Sequence, residues 1–304
     1  QVIAGYQLYG RSLAAYMDSL GLVGPDFTVA HGVWLDGDDM KLLGDRGASV
    51  SHNPGSNMLL GNGIADMRGM LDAKVNVGIG TDGASCSDNQ NMYENMRLAS
   101  MVSKVQGPDR QNWISTEEVL EAATAGSARA LGLGDRIGKL EVGYKADIVF
   151  LDLGHVNWIP FNDPTNQTVH TEDGSAVHSV MIGGRMVVEN HKLLTVDLAQ
   201  IARKAEKARE RQAWEASFAA DPIDLRDLQT RERVGKARDI LRRLAAGEPY
   251  TSLGGKRWES DRNIVSVPVG RGHRLVLRDE GGRLRPLACM THEAYNGLRP
   301  GKLG

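Results

Sequence analysis

Cysteine is almost absent from this chain of 304 residues: Cys86 and Cys289 are the only two, far apart in sequence. That excludes a disulfide framework and a cysteine-built metal site, and it makes a reducing compartment, the cytoplasm, the simple inference. Long hydrophobic runs are missing too, so no membrane role is expected. The opening Gln1-Val2-Ile3 does not have the charged-then-apolar order of a signal peptide. Strong net charge is the third absence, but the overall −2 hides an asymmetry. Residues 1–202 carry 14 Lys and Arg against 24 Asp and Glu, whereas residues 203–304 carry 22 against 14. An acidic part followed by a basic part places a domain boundary near the charge-rich helical stretch from Leu198 to Phe218.

What is present is concentrated at the ends of three apolar runs. Val75 to Ile79 reads as a buried strand and ends in Gly80-Thr81-Asp82-Gly83. A carboxylate where a buried strand meets its loop is held rigidly and still reaches a ligand or metal, which makes Asp82 the first catalytic candidate. An Asp-Gly pair is equally a common turn signal. Val29-Ala30-His31-Gly32 repeats the arrangement, and Ala48-Ser49-Val50-Ser51-His52-Asn53-Pro54 does so again. The segments between them, Asp36 to Arg46 and Ile64 to Ala73, read as helices, with Ile64, Met67 and Leu71 at helical spacing. Strands alternating with short helices imply parallel β/α units, whose functional residues gather at the C-terminal strand ends. One mouth with His31, His52 and Asp82 converging on it is therefore expected.

Several ordered blocks carry a family resemblance. HGVWLDGDD at 31–39, SHNPGSNMLLGNGIADMRGMLD at 51–72 and GTDGASCSDNQNMYENMRLAS at 80–100 are followed by EVLEAATAGSARALGL at 118–133, IGKLEVGYKADIVFLDL at 137–153 and VHSVMIGGRMVVENHKLLTVD at 177–197. Together they resemble the amidohydrolase superfamily, in the branch of triazine chlorohydrolases, guanine and 8-oxoguanine deaminases and adenosine-type deaminases. The resemblance implies an α/β fold, the C-terminal half of a TIM-like (β/α)8 barrel over 1–135 carrying strands six to eight, and part of a small β-sandwich domain over 136–200. It also implies one divalent metal ion, zinc or iron, with Asp82 as the eighth-strand ligand and His31 as the sixth-strand histidine that contacts substrate. His52 falls in the seventh-strand motif. In the intact enzyme, metal-activated water would displace ammonia, an amine or chloride from a nitrogen heterocycle, with Asp82 moving the proton and His31 hydrogen-bonding the developing charge or the leaving group. Asn53 and Ser85 are further substrate-binding candidates. Asn53 and Asn57 lie around Pro54 and could both touch substrate, although Asn53-Pro54 reads first as a turn, and Ser85 lies in a polar cluster that also reads as a helix start capped by Asp88 or Asn89.

The same resemblance exposes what is missing. No His-x-His pair occurs, and His155, His170, His178, His191, His273 and His292 are too scattered to replace one. Three of the four metal ligands implied by the family are thus not in this sequence, and a strongly bound divalent ion needs about three or four protein ligands. The chain is expected to be either a fragment of a longer enzyme or a recombined product inactive by itself, with open sheet edges that invite association. Homo-oligomers are common in the family.

Beyond a charged helix or linker at 201–220, residues 221–304 read as a basic α+β module. An amphipathic helix over 230–247 precedes three strands, 263–269, 273–279 and 283–291, joined by Gly270-Arg271-Gly272 and Glu280-Gly281-Gly282. This piece resembles the small toxin fold of the RelE and ParE type. The resemblance implies that Lys256, Arg257, Arg271, Arg274 and Arg278 approach nucleic acid or a protein partner, and the plainer alternative is a solvated basic face.

Overall fold

A computed structural model describes residues 2–297, so the last seven residues of the 221–304 module lie outside the described residues. The chain divides into two compact units, Gln1–Asp197 and Leu198–Gly304.

The first unit is built on a parallel sheet of β1 (Thr28–Ala30), β2 (Ser49–His52) and β3 (Asn76–Ile79), in that order. Val29 stands opposite Val50, and Val50 opposite Val77. The crossover after β1 is the helix Gly37–Asp45, started by Asp36, whose side chain accepts from Asp39 N–H. Asp38 and Asp39 in its first turn complement the positive end of the helix dipole. After β2 come two short helices, Pro54–Leu59 and Met67–Asp72, the second capped by Asp66. The expected helix from Ile64 is therefore shorter, and Pro54, which fits the first helical turn because it needs no N–H donor there, opens one that the turn signal had hidden. Alternation along the strands sends Val50, Val77 and Ile79 into a core with Met40, Leu43, Met67, Met70 and Met96.

The opposite face of the sheet is small and polar: Ser49, Ser51, Asn76 and Gly78. Its lower part is covered by a π-helical turn, Ala122–Gly126, and the helix Ser127–Ala130. Asn76 Nδ2 donates to Ser49 Oγ and to Gly126 O, at 2.9 and 3.0 Å. Gly126 has to be glycine, since a Cβ there would lie 2.3 Å from Val77 O. Gly80 N–H donates to His52 O, while Ile79 N–H, on the other edge of β3, donates to Ser127 Oγ at 3.1 Å.

An antiparallel sheet follows, β4 (Ile148–Leu151), β5 (Val177–Ile182), β6 (Arg185–Glu189) and β7 (Lys192–Leu193), in sequence order. Val149, Phe150, Ile182 and Leu193 of this sheet are exposed.

In the second unit the helix Leu198–Ala216 buries none of its residues. The helix Arg231–Ala245 buries Val234, Ala237, Ile240, Leu241 and Leu244. These pack on Val265, Val267, Val269, Leu275, Leu277 and Cys289. Those strand residues belong to β9 (Ile264–Val269), β10 (His273–Glu280) and β11 (Arg283–Thr291), joined by two hairpins, with β8 (Lys256–Arg257) completing the sheet in the order β11-β10-β9-β8. Gly270, Gly281 and Gly282 take positive φ at the turns, as their hairpin positions require. The short strand β8 and the helix His292–Asn296 carry little pattern in the sequence and emerge only in the fold. Among the described residues, every exposed large apolar side chain falls between Ile3 and Ile201. No helix among the described residues is long and apolar enough to cross a membrane.

Candidate functional site

The C-terminal ends of β1 and β3 bring two polar side chains together. His31 follows β1 directly with φ 71°, and Asp82 stands three residues beyond β3 with φ 61°. Both are non-glycine residues in the left-handed region, a conformation that costs of order 1 kcal/mol or more and that persists where the surroundings enforce it. His31 Nε2 lies 3.7 Å from Asp82 Oδ2.

What enforces the arrangement is the first turn of the helix Pro54–Leu59. Because β2 lies between β1 and β3, the helix that follows it reaches both neighbours. Ser56 Oγ donates to Asp82 Oδ2 at 2.6 Å, and Asn57 Oδ1 lies 2.8 Å from His31 Nδ1. Gly83 N–H donates to the other carboxylate oxygen, Oδ1, at 2.7 Å. The Ser56 hydroxyl, then the Gly83 amide, hold the Asp82 carboxyl below the usual carboxylate range, and His31 adds to the effect. Asp82 is therefore an anion at neutral pH.

Asn53 also reaches this site: its Nδ2 stands 3.5 Å from His31 Nδ1, and its Oδ1 lies 3.0 Å from Ser51 Oγ. Gly80 leaves room for it, since a Cβ there would be 2.4 Å from Asn53 Oδ1. Ser85 sits exposed on the short helix Ala84–Ser87, with Cys86 Sγ 3.7 Å from its hydroxyl. Of the two roles open for this loop, the helix start falls to neither Asp88 nor Asn89: Asn91 caps Met92–Val105 by accepting from Tyr93 N–H.

His52 is placed elsewhere. It shares strand parity with Val50, so its ring turns to the helix side of the sheet, among Pro54, Met58, Ile64 and Val102. It is 1% exposed, and neither ring nitrogen has a partner among the described residues. Burial lowers its pKa to about 4, which keeps the ring neutral. Ser56, by contrast, was not singled out from the sequence. The available signal was Asn-Pro at a strand end followed by Ser-Asn, which places two short polar side chains in the first turn of a helix facing the strand ends.

Among the described residues no three His, Cys, Asp or Glu side chains cluster as a metal site. His31 and Asp82 together fall short of the three protein ligands that a zinc ion takes in an open catalytic site. The residues present do not hold a divalent ion by themselves. Beside His31, along β1, a cavity of about 580 Å³ is lined by Leu13, Met17, Phe27, Val29, Val33 and Trp34.

Residues 3–187 match the model of the amidohydrolase family, and residues 231–297 that of the ParE-like toxin domain. A 5-methylthioadenosine/S-adenosylhomocysteine deaminase of Desulforudis audaxviator is 42% identical over 203 residues, which are 67% of this chain and 47% of that protein. The zinc-bound adenosine deaminase of Xanthomonas campestris superposes with a TM-score of 0.67 at 33% identity, covering 69% of this chain and 48% of that one. The zinc complex of atrazine chlorohydrolase from Arthrobacter aurescens gives 0.64 at 29%, with 68% and 46% covered. The chain spans about half the length of the curated relatives it matches. With its β/α units, its strand-end histidine and aspartate, and a family match over most of the first unit, the chain belongs to the amidohydrolase family.

Proposed function

We propose that residues 1–197 carry the Asp82–His31 side of a heterocycle deaminase site and become active only when a second polypeptide segment supplies the remaining ligands of a divalent ion, zinc by analogy with the relatives. The reaction is hydrolytic, a ring C–NH2 and water giving a ring carbonyl and ammonia. The single observation that carries this reading is the enforced pair: an anionic carboxylate and an imidazole, 3.7 Å apart, both on left-handed backbone beyond the ends of β1 and β3, the two strands that flank β2. In this reading Asp82 takes a proton from the attacking water and returns it to the departing amine, and His31 orients the leaving group. Asn53 borders the same space and is assigned to substrate contact. Ser85 belongs to the loop beyond Asp82, where it would line the outer rim.

Co-expression with the N-terminal half of the Xanthomonas campestris deaminase tests the proposal. Deamination of 5′-deoxyadenosine or 5-methylthioadenosine, followed by the ultraviolet change from adenine to hypoxanthine, is expected only in the complemented sample. It is expected to disappear with Asp82→Asn. Activity of the chain alone, or activity of the complemented Asp82→Asn variant equal to wild type, would refute it.

A second activity is proposed for the basic unit, where Lys and Arg outnumber Asp and Glu by 22 to 14 over residues 203–304 and the ParE-like model matches residues 231–297. We assign this unit to an anionic partner, RNA being the one tested first. Retention of RNA that falls steeply with added salt would support it, and salt-independent or absent retention would sink it.

A further inference from the structure

Adjacent residues of one short helix grip two strand ends, and the chemistry of those grips fixes which hydrogens the site can receive. Asn57 is 1% exposed and Ser56 is fully buried. The Asn57 amide oxygen can only accept, so the 2.8 Å contact puts the proton of a neutral His31 ring on Nδ1. Asn53 Nδ2, the competing donor, stands farther off at 3.5 Å. With Nδ1 protonated, Nε2 carries a lone pair. It faces Asp82 Oδ2 across 3.7 Å, so two acceptors converge with no hydrogen between them.

We propose that Asn57 is a positioning residue that locks neutral His31 in its Nδ1–H tautomer, so that Nε2 and Asp82 form a two-acceptor clamp for a primary amino group. Such a group offers two N–H donors, one for each acceptor. A ring chloride offers none and would meet two repelling lone pairs. This selectivity rests on the deaminase reading, but the tautomer itself does not. Of the two roles expected for His31, toward the developing charge or toward the leaving group, the clamp takes the second, with Nε2 accepting from the substrate amine. Ser56 completes the clamp by donating to the same Asp82 oxygen, Oδ2.

The test begins with the full chain as purified. In 15N-labelled protein at alkaline pH, two-bond proton–nitrogen correlations report which ring nitrogen is protonated, and His31→Gln identifies the signal. A protonated Nδ1 and an unprotonated Nε2 are expected in the wild type. Asn57→Leu is expected to shift the ring toward the Nε2–H form that free imidazole side chains prefer, and Asn57→Asp to restore Nδ1–H. An Nε2–H ring in the wild type overturns the proposal, because it means that the Asn57 amide donates. Persistence of Nδ1–H in folded Asn57→Leu overturns it equally. If Asn57→Leu does not fold, the wild-type spectrum decides alone. In the complemented enzyme, Asn57→Leu should lower kcat/KM for an amino substrate about tenfold, roughly the loss of one well-formed hydrogen bond, and raise it for a chloro substrate, which then faces an Nε2–H in place of a lone pair. Equal losses on both substrates refute the selectivity while leaving the tautomer standing. A complemented enzyme without activity refutes the deaminase reading and not the tautomer.

Discussion

Acidification should loosen the parallel sheet of the first unit through one residue, His52. Its ring is buried on the helix side of β2, with both nitrogens unpartnered among the described residues and its pKa lowered to about 4 from 6.5. The folded state therefore resists a proton that the unfolded chain takes readily. The stability linked to this group is fully present above the unfolded pKa and is lost as pH falls through the folded one. Between about pH 7 and about pH 5 the loss is about 2 kcal/mol, and below the folded pKa it approaches about 3 kcal/mol, at about 1.4 kcal/mol per unit of pKa difference. His52→Leu removes the titrating group and the unpartnered nitrogens while nearly preserving volume. At about pH 7 it should lie within about 1 kcal/mol of wild type, since relief of polar burial offsets imperfect packing. At about pH 5 it should be the more stable of the two by about 2 kcal/mol. Hydrogen exchange of peptides spanning β2 and β3, corrected for intrinsic rates, measures both. An equal pH response in the two proteins, or a His52 titration midpoint near 6.5 by NMR, would refute the reasoning.

Three further outcomes are expected. Ser56→Ala removes the largest cause of the lowered Asp82 pKa, so the carboxyl titration followed by 13C NMR should move upward. Hydrogen bonds to charged groups contribute roughly 1.5–3 kcal/mol, so the first unit should lose stability of that order near neutral pH, and the difference should shrink as Asp82 becomes protonated. Gly126→Ala drives a Cβ to 2.3 Å from the Val77 carbonyl, a backbone atom that cannot swing aside. A loss of about 1–3 kcal/mol, seen as faster exchange in β3, is expected, and unchanged protection would contradict the close approach of helix and strand. Purified chain incubated with zinc and then freed of loosely bound ion should retain none, with Asp82→Ala indistinguishable. One equivalent, lost in the variant, would show that a complete site forms without a second segment.

The strand-end placement of His31 and Asp82 was legible because a short apolar run followed by a polar residue and glycine is a local signal. The two crossover helices after β1 and β2 were legible from spacing, and Asp36 marked the first of them. In the basic unit the hairpin glycines and the apolar face from Val234 to Leu244 announced a helix on an antiparallel sheet. Less visible was the helix Pro54–Leu59, because Asn-Pro is a turn signal as much as a helix start. The alternation that sends His52 to the core side was in the sequence as shared parity with Val50. It was masked by the resemblance of its motif to a site.

By itself, the sequence determined the parallel β/α units, the family, the acidic-to-basic change along the chain and the absence of a His-x-His pair, all properties of local pattern or composition. Only the tertiary structure decided which polar side chains meet. Whether a strand-end residue faces the mouth or the core depends on strand parity in the assembled sheet. That Ser56 and Asn57 hold Asp82 and His31 depends on β2 lying between β1 and β3, a relation between residues 26 positions apart that no local pattern encodes.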